Sequence, residues 1–417
     1  MIGDLELSES SYDEQGNHRR IAALRKAGVV VWSTDRVFIG TEVPLNGIEA
    51  GAVLMNAVLR GKRTAIGTQS KIGLSGTAVL VNTQIGRGVE LGAGSYHEAT
   101  LFDRTKVRGF AELRQGTVLE ESSETGHNVG LKHTLFTTGV VAGSCINFCD
   151  VLVTGGSSRQ DHSEIGSGSV HLNFDPHGAK FGSLVGDARG LLLRQRRIFI
   201  GGNSAVVAPV HIGFGAVVAA GTTVRKNLEP GRVYVGEPEP QGAREARLFD
   251  PDVYYDLRRK FAITAALCGN LQAVETWYKR VRLPFASGLE GVLCEGAIRN
   301  IRVHVQHRVC ELEKLISKLV PLAKEAKGRQ NPFHKQHLRL IQKRDHIVAL
   351  LAECDVHAHV PPGDLLRRYR QARISTDHGT AIREMPERTV MVAEAWLADI
   401  ASRPSAELGA ILDQATT

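Results

Sequence analysis

Histidines are concentrated in one stretch of this 417-residue chain, where their chemistry suits proton transfer. Five lie within fifty-one residues: His127, His133, His162, His171 and His177. A neutral imidazole can take a proton from an attacking amine near neutral pH. His171 and His162 are the predicted catalytic residues: His162 lies in Asp161–Gly166, the hexad that leads to His171–His177, and His171 shares one side of a strand with Asn173. The alternative is a row of polar side chains on a solvated surface.

Two cysteines close to these histidines, Cys145 and Cys149, have a C-x₃-C spacing that could contribute to a zinc site. Structural zinc usually shows two paired knuckles, and small buried cysteines are common core fillers. A cysteine that carries an acyl group would need a base within reach. We therefore expect no metal and no catalytic thiol. The six cysteines lack framework spacing and fit reduced thiols; they are Cys145, Cys149, Cys268, Cys294, Cys310 and Cys354.

A basic loop adds a candidate anion site. Four arginines occur within nine residues around Leu191-Leu192-Leu193; they are Arg189, Arg194, Arg196 and Arg197. Guanidinium groups could clamp a nucleotide or the diphosphate of coenzyme A. An exposed loop that packs its leucines on a neighbouring subunit is the equal alternative.

Aliphatic residues spaced six apart predict the elements that position these side chains. The series runs from about Phe38 to Val235 and is cleanest at Ile200, Val206, Ile212, Val218 and Val224. This period is neither that of a helix nor that of an ordinary strand, and a β-sandwich would alternate with period two. So short a repeat buries each apolar residue against the coils above and below it. The chain is predicted to be mainly β, with a left-handed parallel β-helix of roughly ten or eleven coils.

The pattern divides the chain into three segments. Residues 1–36 form an N-terminal tail and linker helix, with disorder over 1–18 and a helix over 19–27 that ends before Gly28. Residues 37–240 form the β-helix, interrupted by loops at 153–162 and 187–197. Residues 241–417 form an α-helical domain, with helical periodicity at 303–328, 337–354 and 381–402.

Charge and hydropathy exclude some function classes. From Gln241 to Thr417 there are 27 Lys and Arg against 21 Asp and Glu, so this segment holds +6 of the net +7. Acids are interleaved with these bases at helical spacing, which indicates a solvated helix surface and disfavours nucleic-acid binding. There is no apolar stretch of membrane-spanning length, and the acidic N-terminus is unlike a secretory signal. A cytoplasmic protein without membrane contact is expected.

Short motifs in a fixed order add a family resemblance. They are Leu24-Arg25-Lys26-Ala27-Gly28-Val29, Ala111-Glu112-Leu113-Arg114-Gln115-Gly116, Gly143, Asn173-Phe174-Asp175, Phe199-Ile200-Gly201-Gly202, Val207-Ala208-Pro209-Val210 and Ala219-Ala220-Gly221-Thr222-Thr223-Val224. Over roughly residues 19–235 the chain resembles the C-terminal, acetyltransferase half of the bifunctional N-acetylglucosamine-1-phosphate uridyltransferase and glucosamine-1-phosphate acetyltransferase. The resemblance implies a homotrimer with sugar phosphate and acetyl-coenzyme A bound in clefts between subunits.

The resemblance also implies site residues by local match. The phosphate-binding arginine and lysine fall on Arg114 and Lys132. The residues that position the sugar fall on Asn173, Asp175 and Lys180. The candidates for contact with coenzyme A are Ala219, Ala220, Arg194 and Arg197. No tightly bound cofactor is expected, and acetyl-coenzyme A or another acyl-coenzyme A is the expected co-substrate.

Two departures from the family limit the functional prediction. The family's general base is a histidine directly after Ala-Gly, whereas Ala142-Gly143 is followed by Ser144, which needs another base to assist it. The chain begins at the family's linker helix, so we expect no uridyltransfer. We predict an acyltransferase-like enzyme that acts on a sugar phosphate or nucleotide-activated amino sugar. The alternatives are a non-catalytic sugar-nucleotide-binding or scaffolding protein, and a different transfer reaction in the same cleft.

Overall fold

The computed structural model describes residues 14–236, 254, 256–325, 334–352 and 356–413. Residues 1–13 of the tail predicted over 1–18, the 240/241 domain boundary and Cys354 lie outside these residues. The chain starts with helix α1 (Glu14–Lys26), which begins five residues earlier than the predicted helix at 19–27 and includes part of the segment expected to be disordered. Its Ile21 and Leu24 are buried at the first coils. The five described cysteines are all free thiols.

The six-residue period forms the predicted parallel β-solenoid. Ile200, Val206, Ile212, Val218 and Val224 all point into the interior and are almost completely buried. Eleven short strands stack in parallel along one side of the prism, one per coil. A mainly β fold followed by a helical region is therefore confirmed, with the predicted number of coils.

The solenoid has three faces, which we number in the order in which each coil visits them. Face 1 consists of Val30–Val31, Val53–Leu54, Lys71–Ile72, Glu90–Leu91, Lys106–Val107, Glu124–Thr125, Val141–Ala142, Glu164–Ile165, Phe199–Ile200, Val217–Val218 and Val233–Tyr234. Face 2 consists of Val37–Ile39, Ala57–Arg60, Ala78–Val81, Gly94–His97, Ala111–Leu113, the first halves of Gly130–Phe136 and Asn147–Val153, Val170–Leu172, Ala205–Val207 and Thr223–Val224. Face 3 consists of Ala65–Ile66, Gln84–Ile85, Thr100–Leu101, Val118–Leu119, the second halves of the two long strands, Ser183–Val185 and His211–Ile212.

Two strands turn the corner from face 2 to face 3 without a break. In Gly130–Phe136 the bend is at His133, with φ +47°, and in Asn147–Val153 it is at Asp150, with φ +66°. Positive φ is uncommon outside glycine, but Asp and His adopt it more readily than most residues. The two bends therefore place an imidazole and a carboxylate side by side at one corner.

The C-terminal part is helical, as predicted, although the helix boundaries differ. The helices are α2 (Leu257–Trp277), α3 (Leu289–Glu325), α4 (His334–Gln342), α5 (Arg344–Ala352), α6 (Gly363–Ala372), α7 (His378–Arg383) and α8 (Glu387–Asp413). The predicted helix at 303–328 is the later part of a longer α3. The one at 337–354 is divided into α4 and α5, and the one at 381–402 covers the end of α7 and much of α8. The sequence did not predict α2, which is buried on nearly all sides and lacks an amphipathic pattern.

The helices cover face 3 of the solenoid. Outward-pointing residues of that face, including Val118, Leu135, Leu152 and Leu184, are buried in one core with α2 and α3. Helix α3 approaches closely at Gly296, where a Cβ atom would lie 2.4 Å from Gln84 Oε1 and 2.6 Å from Thr100 Oγ1. Faces 1 and 2 carry no such cover from the described helices. No helix among the described residues has the length and apolar character needed to cross a membrane.

A buried charge cluster fastens this junction. Arg282 follows α2 in a π-helical turn, Tyr278–Arg282, and its guanidinium Nη2 lies 2.5 Å from Glu121 Oε1. Tyr278 donates a 2.6 Å hydrogen bond to Glu120, and the Arg282 guanidinium stacks 4.5 Å from the Phe102 ring centroid. Burial raises the pKa of Glu120. All of these groups are withdrawn from solvent, so each depends on the others for compensation.

Candidate functional site

Arg114 and Lys132 occupy matching positions on neighbouring coils of face 2. Leu113 pairs with Leu131, so the next residues along the two strands, Arg114 and Lys132, stand side by side. Lys132 in turn pairs with Cys149 on the following coil. The Arg114 side chain is 41% exposed, and its Nη2 lies 3.9 Å from Cys149 Sγ. The structure thus brings together the two cations that the sequence proposed for phosphate, one strand spacing of about 4.8 Å apart.

Cys149 is a poor nucleophile in this position. Burial raises the pKa of its thiol, which keeps the sulfur protonated near neutral pH. It also lies 3.8 Å from Asn147 Oδ1. The side chain is better suited to packing beside Arg114 than to carrying an acyl group.

At the opposite edge of face 2, Ser144 contacts His127. Ser144 Oγ lies 2.9 Å from His127 Nδ1 and accepts a 3.3 Å hydrogen bond from the His127 backbone N–H. The Ser144 N–H donates to Ser167 Oγ at 3.0 Å. The three residues follow one another on successive coils at the corner between faces 1 and 2. An imidazole from the preceding coil therefore reaches the hydroxyl that follows Ala142-Gly143.

Asp150 is the centre of a buried network at the corner between faces 2 and 3. Its Oδ1 lies 3.0 Å from His133 Nδ1 and 2.8 Å from Arg308 Nη2, and its Oδ2 accepts a 2.6 Å hydrogen bond from Asn173. Despite the cost of burial, the Arg308 charge and the His133 hydrogen bond hold the pKa of Asp150 well below its usual range. Arg308 also donates to the Lys180 carbonyl at 3.3 Å. The network ties α3 to the predicted sugar-positioning segment.

At the same corner, three of the described residues have donor atoms close enough together to bind one metal ion. Single ligand atoms of His133, Asp150 and His307 all lie within 4.8 Å of one another. Burial lowers the pKa of His307 to about 3, so its ring is neutral near pH 7. Both Asp150 oxygens already accept from nitrogen donors, however, and Arg308 supplies the compensating positive charge. The arrangement is complete as a hydrogen-bonded ion pair. That the chain needs no metal remains a prediction.

His171 points into the solenoid. It pairs with Val206, an interior residue, and its ring centroid is 5.8 Å from that of Phe148 on the coil before. Its Nε2 lies 2.8 Å from Ser183 Oγ, and burial lowers the pKa of the imidazole to about 4. A role as general base would require this interior position to open to an acceptor.

His162 lies on a different corner from Arg114 and Lys132. It belongs to the loop between faces 3 and 1, where its Nδ1 is 2.8 Å from the Arg159 carbonyl and its Nε2 is 3.9 Å from Glu164. One chain by itself does not bring His162 to the face 2 cations. Its predicted role as a base requires a second subunit to complete the site.

The Asn-Phe-Asp segment is bonded to the solenoid, to its own turn and to helix α2. Asp175 forms a 2.8 Å ion pair with Lys260 of α2 and accepts the backbone N–H groups of His177 and Ala179. The exposed Lys180 side chain leaves this segment towards solvent. Asn173 and Asp175 therefore hold the segment in shape, and Lys180 is the residue of the three that is open to a ligand.

The candidates for coenzyme A contact lie apart from one another. Arg194 donates to the carbonyls of Arg383 and Met385, at the turn between α7 and α8, while Arg197 is 59% exposed and 3.7 Å from Asp161. Leu191, Leu192 and Leu193 are buried in the core with the chain's own helices, which corrects the alternative that they pack on a neighbouring subunit. Ala219 and Ala220 form a turn between faces 1 and 2, the corner that also carries Ser144.

Sequence reasoning missed three parts of the site. Asp150 was not singled out, although it follows Cys149 directly. The helical periodicity over 303–328 places His307 and Arg308 on a helix but assigns them no role. The contact between His127 and Ser144 does have a signal in the sequence, because the two are seventeen residues apart, which is close to one coil.

The stacked six-residue repeats, with Arg114 and Lys132 side by side on face 2, define a hexapeptide-repeat β-helix. The left-handed coiling predicted from the sequence is supported by similarity to known proteins. The chain is 28% identical over 218 residues to the bifunctional protein GlmU of Thermotoga petrophila, covering 52% of this chain and 44% of that protein. It is 27% identical over 220 residues to the bifunctional protein GlmU of Streptococcus uberis, covering 50% and 41%. With the GlmU of Acinetobacter baylyi the identity is 33% over 176 residues, covering 42% and 34%.

These similarities confirm the resemblance to the acetyltransferase half over about half of the chain. The chain spans less than half the length of the curated relatives it matches. No family model matches it.

Proposed function

We propose that this protein transfers an acyl group from a coenzyme A thioester to the amino group of a phosphorylated or nucleotide-activated amino sugar. The observation that carries the proposal is the pairing of Arg114 with Lys132 on face 2. A phosphate needs charge-assisted donors, and the arginine offers a bidentate fork beside the point charge of lysine. The similarity to the bifunctional protein GlmU supports acyl transfer as the reaction class.

The second candidate is a protein that binds a sugar nucleotide without turning it over. It is favoured by the enclosed position of His171 and by the separation of His162 from the basic pair. It shares the binding site with the first candidate and differs from it in having no chemical step.

Arg114→Ala is expected to weaken binding of glucosamine 1-phosphate or UDP-N-acetylglucosamine ten- to hundredfold. A charge-assisted bidentate contact contributes about 1.5–3 kcal/mol, and about 1.4 kcal/mol corresponds to a factor of ten. Calorimetry of both ligands and of acetyl-coenzyme A, run side by side, measures the loss.

Arg63→Ala is the matched control for that experiment. Arg63 is 42% exposed and paired with Glu98, much as Arg114 is 41% exposed and close to Glu112, but Arg63 lies three coils away. Unchanged affinity for every sugar phosphate and sugar nucleotide in Arg114→Ala would refute the proposed binding site.

The proposal includes a homotrimer, in which neighbouring subunits close the site. Phe199, Val217 and Val233 stack on consecutive coils of face 1 and are 39%, 37% and 69% exposed, which leaves an apolar strip uncovered. Closed symmetry would bury such a strip. Sedimentation at micromolar concentration should show a trimer that Val217→Glu dissociates and Lys71→Glu, on the charged part of the same face, does not. A wild-type monomer would contradict the proposal.

A cytoplasmic location is proposed with it, because reduced thiols and a coenzyme A donor both belong to that compartment. No tightly bound cofactor is part of the proposal.

A further inference from the structure

The contact between Ser144 and His127 has the geometry of an activated nucleophile. A nucleophile and its base need to lie within about 2.6–3.2 Å of each other, and Ser144 Oγ to His127 Nδ1 is 2.9 Å. The His127 backbone N–H, 3.3 Å from the same oxygen, orients the hydroxyl and favours negative charge on it. One hydroxyl is thus contacted by the imidazole and the amide of a single residue.

The backbone around this pair leaves space for the contact. A Cβ atom on Gly126 would lie 2.4 Å from Ser144 Oγ, so glycine before His127 is needed for the hydroxyl to reach the imidazole. A Cβ atom on Gly143 would likewise lie 2.5 Å from Ser167 Oγ, which receives the Ser144 N–H. Two glycines on successive coils therefore fix the serine from both sides.

The pair is also accessible. His127 is exposed and Ser144 is partly exposed, on an edge of face 2 that the described helices leave uncovered. By contrast, the Cys149 thiol is held protonated by burial, and His171 and His133 are enclosed. Among the described serines and cysteines on the coils around Arg114 and Lys132, Ser144 is the one that is both open to solvent and within hydrogen-bond distance of an imidazole nitrogen.

We propose that Ser144 is an acyl-accepting nucleophile and that His127 is its general base, so that the acyl group passes through a serine ester. The inference takes its donor, a coenzyme A thioester, from the proposed function. It goes beyond that function by assigning a covalent intermediate and the two residues that form it. His127 supplies, from the preceding coil, the imidazole that the residue after Ala142-Gly143 lacks.

The reaction consists of two balanced steps. Ser144 Oγ attacks the thioester carbonyl carbon as its proton moves to His127 Nδ1; the C–S bond breaks, and the coenzyme A thiolate leaves with that proton. The acceptor amine then attacks the carbonyl carbon of the serine ester as His127 takes a proton from the amine. The ester C–O bond breaks, the amide forms, and the proton returns to Ser144 Oγ.

The test uses the full chain with acetyl-coenzyme A alone. After rapid acid quench, intact mass spectrometry should show one added acetyl group, and peptide mapping should place it on Ser144. Ser144→Ala should abolish the label, and His127→Ala should slow its formation by about a hundredfold or more, since general bases contribute about 10²–10⁴-fold.

Two further variants keep the test independent of folding defects. Ser144→Cys retains a nucleophile beside His127 and should form a mappable thioester. His97→Ala removes a partly buried imidazole from face 2 and should leave labelling unchanged. Circular dichroism checks that each variant is folded.

The outcomes separate this inference from the proposed function. Acetyl-Ser144 without transfer to glucosamine 1-phosphate or to a nucleotide-activated amino sugar with a free amine supports the nucleophile and refutes the proposed acceptor class. Transfer to glucosamine 1-phosphate without any acetyl-enzyme overturns the nucleophile and supports the proposed function. A label on Cys145, or a label on Ser144 that forms equally fast without His127, also overturns it.

Discussion

Arg282→Met is expected to lower the free energy of unfolding by about 3–5 kcal/mol, because it strands Glu120 and Glu121 in a buried site without their cation. The wild-type guanidinium is completely buried, 2.5 Å from Glu121 and 3.7 Å from Glu120. Burial already raises the pKa of Glu120, so loss of the arginine should push this carboxyl further towards its protonated form. Urea denaturation at pH 7 measures the change.

An exposed ion pair provides the comparison for Arg282. Arg63 and Glu98 are 2.6 Å apart, but both side chains are about 40% exposed, so Arg63→Ala should cost less than about 1 kcal/mol. Adding Glu120→Gln and Glu121→Gln to Arg282→Met should restore part of the lost stability, because no unpaired charge then remains. If the triple variant were less stable than the single one, charge burial would not be the cause.

His171 should make the protein lose stability in acid. Burial lowers the pKa of its imidazole to about 4 in the folded protein, whereas an unfolded chain has a histidine pKa of about 6.5. Below about pH 6.5 the unfolded state binds the proton first, so the free energy of unfolding falls as the pH falls towards 4. The full difference between the two pKa values corresponds to about 3–4 kcal/mol from this residue alone, most of which is lost by pH 4.

His171→Gln isolates that effect. Glutamine can still hydrogen-bond Ser183 but does not titrate, so the difference in unfolding free energy between pH 7 and pH 4 should be smaller in the variant by about 2–3 kcal/mol. Other enclosed histidines such as His304, whose pKa is also lowered by burial, keep a pH dependence in both proteins. An identical pH dependence in wild type and variant would show that His171 is solvated.

The solenoid could be predicted from the sequence because each repeat packs against residues that are close to it in the chain. Residues such as Ile200 and Val206 are buried by neighbours one coil away, so six-residue spacing was enough to predict the fold. Arg114 and Lys132 were predicted from the family resemblance, and the solenoid then places them on neighbouring coils. The same spacing puts His171, six residues after the buried Ile165, in the interior. The prediction of a general base there rested instead on the other histidines and polar residues near it.

What could not be predicted depends on contacts between distant segments. Asp150 binds Arg308 across the boundary between solenoid and helices, and Arg282 meets Glu121 across the same boundary. No periodicity links residues so far apart in the chain. Helix α2 was missed for the same reason: it is buried on nearly all sides, against α8 and the outer surface of face 3, so its sequence has no amphipathic pattern.

The covered third face has a consequence for biosynthesis. The strands of the solenoid leave the ribosome before α2 and α3, and during that interval Val118, Leu135, Leu152 and Leu184 have nothing to pack against. Nascent chains with such a strip exposed are prone to self-association. The helices therefore protect the nascent chain from self-association once they pack on face 3. The period of risk during synthesis ends when the helices have folded, and not when the coils of the solenoid have formed.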